Sequence, residues 1–221
     1  MSDGAQGCSR AANLEHVLLA IDTSAGTSVA IVDPSTGRIV AERSTPDTMR
    51  HAEVIGTLLA EVLEAAEVTP SALDGVVVGM GPGPFTGLRV GIAAARTFAL
   101  GAGLALLPMV SADAVARQQA LVGASDTIIV VTDARRKEVF WSLYDLSGAE
   151  PVRIDGPGLA RPDSLPHTAA RRVDAAEISA AQLALAAAAL VEAGRPLASD
   201  DALYLRSPDV TMPSGIKRVT Q

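Results

Sequence analysis

The sequence predicts a mixed α/β protein built from two successive units, and three observations carry that prediction. Three short strands joined by tight turns precede residue 46, a buried strand enters a helix through a glycine–proline loop at residues 76–100, and a second hairpin at residues 127–145 is followed by an alanine-rich helix. A chain of 221 residues allows one large domain or two small ones. The expected division is an N-terminal arm at 1–13, a first unit at 14–110, and a second, reduced unit with a C-terminal tail at 111–221.

The first strand is read at residues 16–21 and ends in Asp22-Thr23-Ser24; Ala25-Gly26 turns the chain into a second strand at 27–32. Asp33-Pro34-Ser35-Thr36-Gly37 makes the next turn, and residues 38–43 complete an antiparallel meander. A helix is expected over 50–67, with Val54, Ile55, Leu58, Leu59, Val62, Leu63 and Ala66 on a wide apolar stripe. A stripe that wide packs a sheet with one edge and a partner helix with the other.

The organising segment follows. Residues 76–80 are apolar and β-branched, as a central parallel strand requires. Gly81-Pro82-Gly83-Pro84 alternates the residue that frees φ with the one that fixes it, and Thr86 is placed to cap the next helix. That helix, at 87–100, has only Arg89, Arg96 and Thr97 as clearly polar members, so most of its surface must be covered. Gly87, Gly91, Ala95 and Ala99 form a row without bulk beside Leu88, Ile92 and Phe98. A glycine inside a helix costs about 1 kcal/mol against alanine, so Gly91 implies a backbone close by. Two readings stand: a helix buried on its own sheet, or one sandwiched between its sheet and a partner subunit.

A short strand at 104–107 ends the first unit, and Ser111-Ala112-Asp113 opens a helix to Leu121. Residues 127–133 and 138–145 form a hairpin around Ala134-Arg135-Arg136-Lys137. The proline- and glycine-rich stretch 151–168 is expected to be irregular loop with at most one short strand, 177–193 a helix, 202–205 a last strand and 208–221 a tail.

Net charge is −7 and the isoelectric point about 4.9, so the chain has no general attraction for nucleic acid or anionic membrane, and a partner must hold any RNA. The single cysteine, Cys8, excludes an intramolecular disulfide and fits a reducing compartment. The apolar run at 17–21 is too short for a signal sequence, and no stretch reaches membrane-spanning length; a cytoplasmic protein that binds no membrane is expected.

Asp22, Thr23 and Ser24 at a strand end suit either a phosphate loop or an ordinary turn. Gly81 and Gly83 before a helix suit either an anion cradle or a rigid turn, and two prolines remove donors a cradle would use. The three histidines, His16, His51 and His167, lack helical pairing, so no metal site is expected; His51 is read as a surface or capping residue. Asp133, Arg135, Arg136 and Glu138 form either a polar cluster or a charged hairpin tip.

Ile21-Asp22-Thr23-Ser24, the run from Gly79-Met80-Gly81-Pro82-Gly83-Pro84-Phe85-Thr86-Gly87 to Leu88-Arg89-Val90-Gly91, and Asp133-Ala134-Arg135-Arg136-Lys137-Glu138-Val139, in that order, closely resemble the TsaB (YeaZ) family. The similarity covers residues 16–145, and Tyr204-Leu205-Arg206 also fits. The resemblance implies a two-lobed fold of the actin, Hsp70 and sugar-kinase (ASKHA) type, with mixed five-stranded sheets flanked by helices. It also implies a non-catalytic accessory subunit that docks on the catalytic paralogue TsaD, with TsaE as a further partner, for threonylcarbamoyl transfer to adenosine in tRNA.

By that resemblance the partner interface comprises Val54, Ile55, Leu58, Leu59, Val62, Leu88, Gly91, Ile92, Ala95 and Phe98, and the free protein forms a homodimer through the same surface. Asp22, Thr23, Ser24, Gly81 and Gly83 are at most weak nucleotide loops, this chain requires no cofactor, ATP or ADP enters only with the complex, and tRNA is met through it. Two departures stand out: Pro84 replaces the family's usual serine, and 166–179 is shorter than usual, where a further strand normally occurs. The alternative reading is an ATP-dependent small-molecule kinase of the same superfamily using Asp22 and Thr23.

Overall fold

A computed structural model describes residues 16–206, so the expected arm at 1–13 and tail at 208–221 lie outside the described residues. Strands β1 (Leu18–Asp22), β2 (Thr27–Asp33) and β3 (Arg38–Thr45) form the antiparallel meander. Helix α1 (His51–Ala66), strand β4 (Gly75–Gly79), helix α2 (Phe85–Ala102) and strand β5 (Ala105–Met109) follow. The sheet runs β3-β2-β1-β4-β5, with β4 parallel to β1 and to β5.

Strand periodicity divides this sheet's side chains between two cores. Leu19, Ile21, Val29, Ile31, Val76 and Val78 point toward α1 and α2. Leu18, Ala20, Ala30, Val32 and Val77 point the other way, into a core shared with the second lobe. Being buried on both faces, β1 and β4 read as unbroken apolar runs in the sequence.

The second lobe contains α3 (Ala112–Leu121), β6 (Thr127–Asp133), β7 (Val139–Asp145), β8 (Val152–Ala160), β9 (Arg171–Asp174) and α4 (Ala180–Glu192). Among the described residues its sheet, β8-β7-β6-β9, has four strands where five are expected. Helices α3 and α4 lie between the sheets: Val115, Ala184 and Leu185 join Val32 and Val77 on one side and Ile128, Val130 and Tyr144 on the other. The far face of the second sheet carries only a small cluster, Ile129, Val131, Val139 and Leu143, covered by Trp141, Leu165 and Ala170.

Four expectations are corrected. The stretch expected to be irregular contains the nine-residue β8, because pairing with β7 supplies the order that its composition conceals. Register shifts around Leu143 admit Gly156 and Pro157, and as an edge strand β8 tolerates proline. Gly158 passes beneath Trp141 so closely that a Cβ there would lie 2.5 Å from the indole. The shortened region keeps its strand, β9, parallel to β6.

Residues 202–205 form no strand and instead hold this segment to the first lobe by single bonds such as Leu203 N–H to the Met80 carbonyl at 2.8 Å. Thr86 caps nothing, since α2 already begins at Phe85 behind Pro84, without a side-chain cap. Ser179 does cap α4, accepting from Gln182 N–H at 3.1 Å.

Candidate functional site

The two expected loops meet. Asp22 ends β1 inside the protein, and its Oδ1 accepts the N–H of Ser24 at 2.8 Å and the Ser24 hydroxyl at 2.6 Å. Its Oδ2 is buried with no hydrogen bond of good geometry. Burial pushes the Asp22 carboxyl above its ordinary range, against the opposing influence of the Ser111 and Ser24 hydroxyls. Thr23 donates to the Gly87 carbonyl at 2.8 Å, reaching from the first loop into the first turn of α2. Gly83 lies against Ser24, where a Cβ would come within 2.8 Å of the serine Cα.

Two backbone donors of these loops already have acceptors inside the protein. Ser24 N–H serves Asp22, and Gly81 N–H serves the Ser111 hydroxyl at 3.2 Å while the Gly81 carbonyl accepts from Ser111 N–H at 2.9 Å. The cavity bordered by Ser24, Pro82 and Ser111 on one side and Thr132, Phe140 and Ser142 on the other has a volume of about 10 Å³. That is space for roughly one water molecule. The arrangement is a latch between β1 and α2 rather than an open cradle.

His51 corrects the sequence reading as well. It is only 5% exposed, and its Nδ1 lies 2.7 Å from the Thr27 hydroxyl. Burial lowers its pKa below the usual histidine value. Gly87 is required opposite it, because a Cβ there would stand 2.9 Å from His51 Nε2.

The helix pair separates the interface residues expected from sequence into two groups. Ile55, Val62, Leu88, Gly91, Ile92 and Ala95 are buried in the lobe's own core and hold the helices to the sheet. Val54, Leu58, Leu59 and Phe98 are half-buried and keep side-chain surface at the helix flanks. The neighbour of Gly91 is a side chain of this chain, not a backbone or a partner: a Cβ at Gly91 would lie 2.2 Å from Thr23 Oγ1.

Sequence reasoning missed the outward positions Gly56 and Ala60 on α1 and Ala93 and Thr97 on α2, all exposed, with Leu100 nearby at 85% exposure. The signal was present, since small residues recur four apart on both helices outside the apolar stripe.

One flank of α2 is covered by the end of the described chain. Tyr204 packs on Phe85 with ring centroids 4.7 Å apart, and Arg89 stands 3.7 Å over the Phe85 ring. Arg96 donates to Asp200. The β6–β7 tip holds Arg135, Arg136 and Lys137 in left-handed backbone conformations. Asp133 Oδ1 accepts from Arg135 N–H at 2.8 Å, and Arg206 donates to the Ala134 carbonyl at 2.8 Å and lies 3.7 Å from Glu138. Arg135 also reaches the Thr48 hydroxyl on the first lobe. Asp133, Arg135 and Glu138 thus form a polar cluster with Arg206, which Arg135 links to the first lobe. Among the described residues no three His, Cys, Asp or Glu side chains converge as metal ligands would, and no helix is long and apolar enough to cross a membrane.

A family model described as TsaD, tRNA N6-adenosine threonylcarbamoyltransferase, matches residues 39–189. The chain is 37% identical over 201 residues to an uncharacterized protein of Mycobacterium tuberculosis, covering 87% of this chain and 92% of that protein. It is 31% identical over 126 residues to the tRNA threonylcarbamoyladenosine biosynthesis protein TsaB of Haemophilus influenzae, 57% of this chain and 52% of the relative, so it spans about half of that protein's length. Among solved structures, YeaZ from Pseudomonas aeruginosa superposes with a TM-score of 0.69 at 23% identity, over 81% of this chain and 93% of that one. The two-lobed fold with helix-flanked mixed sheets is therefore shared with YeaZ.

Proposed function

The chain belongs to the TsaD family of tRNA threonylcarbamoyladenosine proteins, on its TsaB (YeaZ) side, and on that footing we propose that it is a non-catalytic accessory subunit. It holds TsaD in an active arrangement, together with TsaE, while TsaD transfers the threonylcarbamoyl group to adenosine in tRNA. In this reading it works in the cytoplasm, needs no cofactor of its own, and meets ATP or ADP and tRNA only through the complex.

One observation carries the proposal: helices α1 and α2 lie side by side on the first sheet and expose small residues four apart on each, Gly56 and Ala60 on α1 and Ala93 and Thr97 on α2, alongside the exposed charges of Glu53, Glu61, Glu64, Arg89 and Arg96. Gly56, Ala60, Ala93 and Thr97 let a second helix pair approach closely, and Leu59 and Phe98 offer apolar surface at the flanks. A second copy of this chain would satisfy the same surface when TsaD is absent, so a homodimer is expected of the free protein.

The closed latch supports a role through contact. Asp22 and Thr23, which a kinase would turn toward a nucleotide, are instead buried and bonded to Ser24 and Gly87, and the cavity beside Ser24 holds only about 10 Å³.

The test is light scattering on the protein alone and after mixing with its cognate TsaD, followed by a tRNA modification assay with each component omitted in turn. A homodimer that gives way to a heterodimer, and modification that needs both proteins, supports the proposal. A protein indifferent to TsaD, with modification proceeding in its absence, overturns it.

A further inference from the structure

We propose that the second lobe binds a small oxyanion, phosphate or carboxylate in type, in a cavity of about 110 Å³ walled by Asp113, Arg117, Tyr144, Glu150, Arg153 and Arg195. The cavity is well away in sequence from the Asp22 and Gly81 loops, and the inference does not depend on the partner reading.

The cations come from three places: Arg117 from α3, Arg153 from β8, and Arg195 from the turn after α4. Three guanidinium groups face two carboxylates there, on a chain whose net charge is −7. Local charge of that sign, against the overall charge, is unexpected unless it is used.

The internal pairing is incomplete. Arg117 Nη1 reaches both Glu150 oxygens, at 3.3 and 3.0 Å, and Tyr144 donates to Asp113 Oδ1 at 2.7 Å. Arg153 Nη1 stands 3.6 Å from Asp113, beyond hydrogen-bond length. Arg153 Nη1 and Arg117 Nε are both buried without a hydrogen-bond acceptor, while Arg195 acts on the Asp113 carboxyl only through its charge. Two guanidinium N–H groups without acceptors, beside a third guanidinium held by no close ion pair, are the donor set that an oxyanion satisfies.

The dimensions agree. A cavity of about 110 Å³ exceeds what one water fills and admits a tetrahedral oxyanion, while Pro151 and Leu190 exclude solvent from part of the wall. Arg117 and Glu150 also border a larger groove of about 640 Å³ lined by Leu18, Leu107 and Leu185, so a ligand larger than a bare anion has space to extend.

The experiment titrates the full chain with inorganic phosphate and, separately, acetate, at constant ionic strength, following heat or the phosphorus resonance. Saturable binding is expected, with phosphate preferred if the physiological group is a phosphate ester and acetate preferred if it is a carboxylate. Arg195→Gln breaks no close ion pair and should fold; it should weaken binding about tenfold, the loss of one charge-assisted bond, as should Arg153→Gln. Arg161→Gln, exposed elsewhere, should bind as the parent does. Absence of saturable binding of either anion, or affinity unchanged in a folded Arg195→Gln chain, overturns the proposal.

Discussion

The Thr23 hydroxyl donates to the main-chain carbonyl of Gly87 at 2.8 Å, so the end of the first strand is pinned to the first turn of α2 across 64 residues of sequence. The same side chain occupies the space over Gly91, where a Cβ would lie 2.2 Å from Oγ1 and 2.9 Å from Cγ2. Gly91→Ala would gain about 1 kcal/mol in helix propensity. Overpacking against a buried, bonded threonine outweighs that gain, and a net loss of about 1–3 kcal/mol is expected in denaturant unfolding. Adding Thr23→Ala removes the obstacle, so the double variant should lose less than the two single losses combined. A neutral or stabilising Gly91→Ala would show that the contact is not tight.

Asp22 makes a pH-dependent contribution of known sign. Its carboxyl is raised by burial, so the native state holds the proton more tightly than the unfolded chain does. The associated stability is fully present below the ordinary carboxylate range and is lost as pH rises through the raised native value. At neutral pH the protein carries that loss. Asp22→Asn keeps an acceptor for Ser24 and presents an amide toward Ser111, and should stabilise the fold by roughly 1–3 kcal/mol at pH 7. The difference should shrink toward pH 4, and unfolding curves at both pH values decide it. No gain at pH 7 would mean that the ionised carboxylate is better supported than its orphaned Oδ2 suggests.

His51 acts with the opposite sign. Burial lowers its native pKa from the ordinary 6.5, so the unfolded chain binds the proton first as the solution is acidified. Its contribution is intact above pH 6.5 and is lost as pH falls through the lowered native value. His51→Gln, which can still bond the Thr27 hydroxyl, should flatten the fall in stability between pH 7 and pH 5. An unchanged slope in the variant would place the acid sensitivity elsewhere.

The first lobe was legible because its strands and helices announce themselves locally. Residues 76–80 are apolar on every position because β4 is covered on both faces, and the meander is set by its turns. Strand β8 was hidden because its order comes from β7, a neighbour that composition cannot reveal.

The glycine at position 91 gave the right signal and the wrong neighbour: crowding was readable, but that Thr23 supplies it depends on the latch. On the helix pair, the apolar stripe marks the face turned to the sheet, and Ile55, Val62 and Ile92, expected by resemblance at the partner interface, pack in the first lobe's core. The cluster at Arg117, Arg153 and Arg195 spans 78 residues of sequence and carries no local pattern at all.

That distinction between faces decides how the partner surface should be tested. Ile92 is 6% exposed within the first core, and a charge placed there would disrupt the fold whatever α2 binds. Its loss of function would therefore say nothing about an interface. Ala60 and Ala93 are exposed, so Ala60→Arg and Ala93→Arg should leave stability within about 0.5 kcal/mol of the parent.

An arginine on either helix nonetheless holds an approaching helix pair away and leaves its own charge against apolar surface. Both variants should be monomeric by light scattering, fail to form a heterodimer with TsaD, and support tRNA modification at less than about a tenth of the parent rate, a loss of about 1.4 kcal/mol or more. If both remain folded and both still pair with TsaD, the outward face of α1 and α2 is not the contact. The stack of half-buried Phe85 with exposed Arg89 and Tyr204 would then be the next surface to alter.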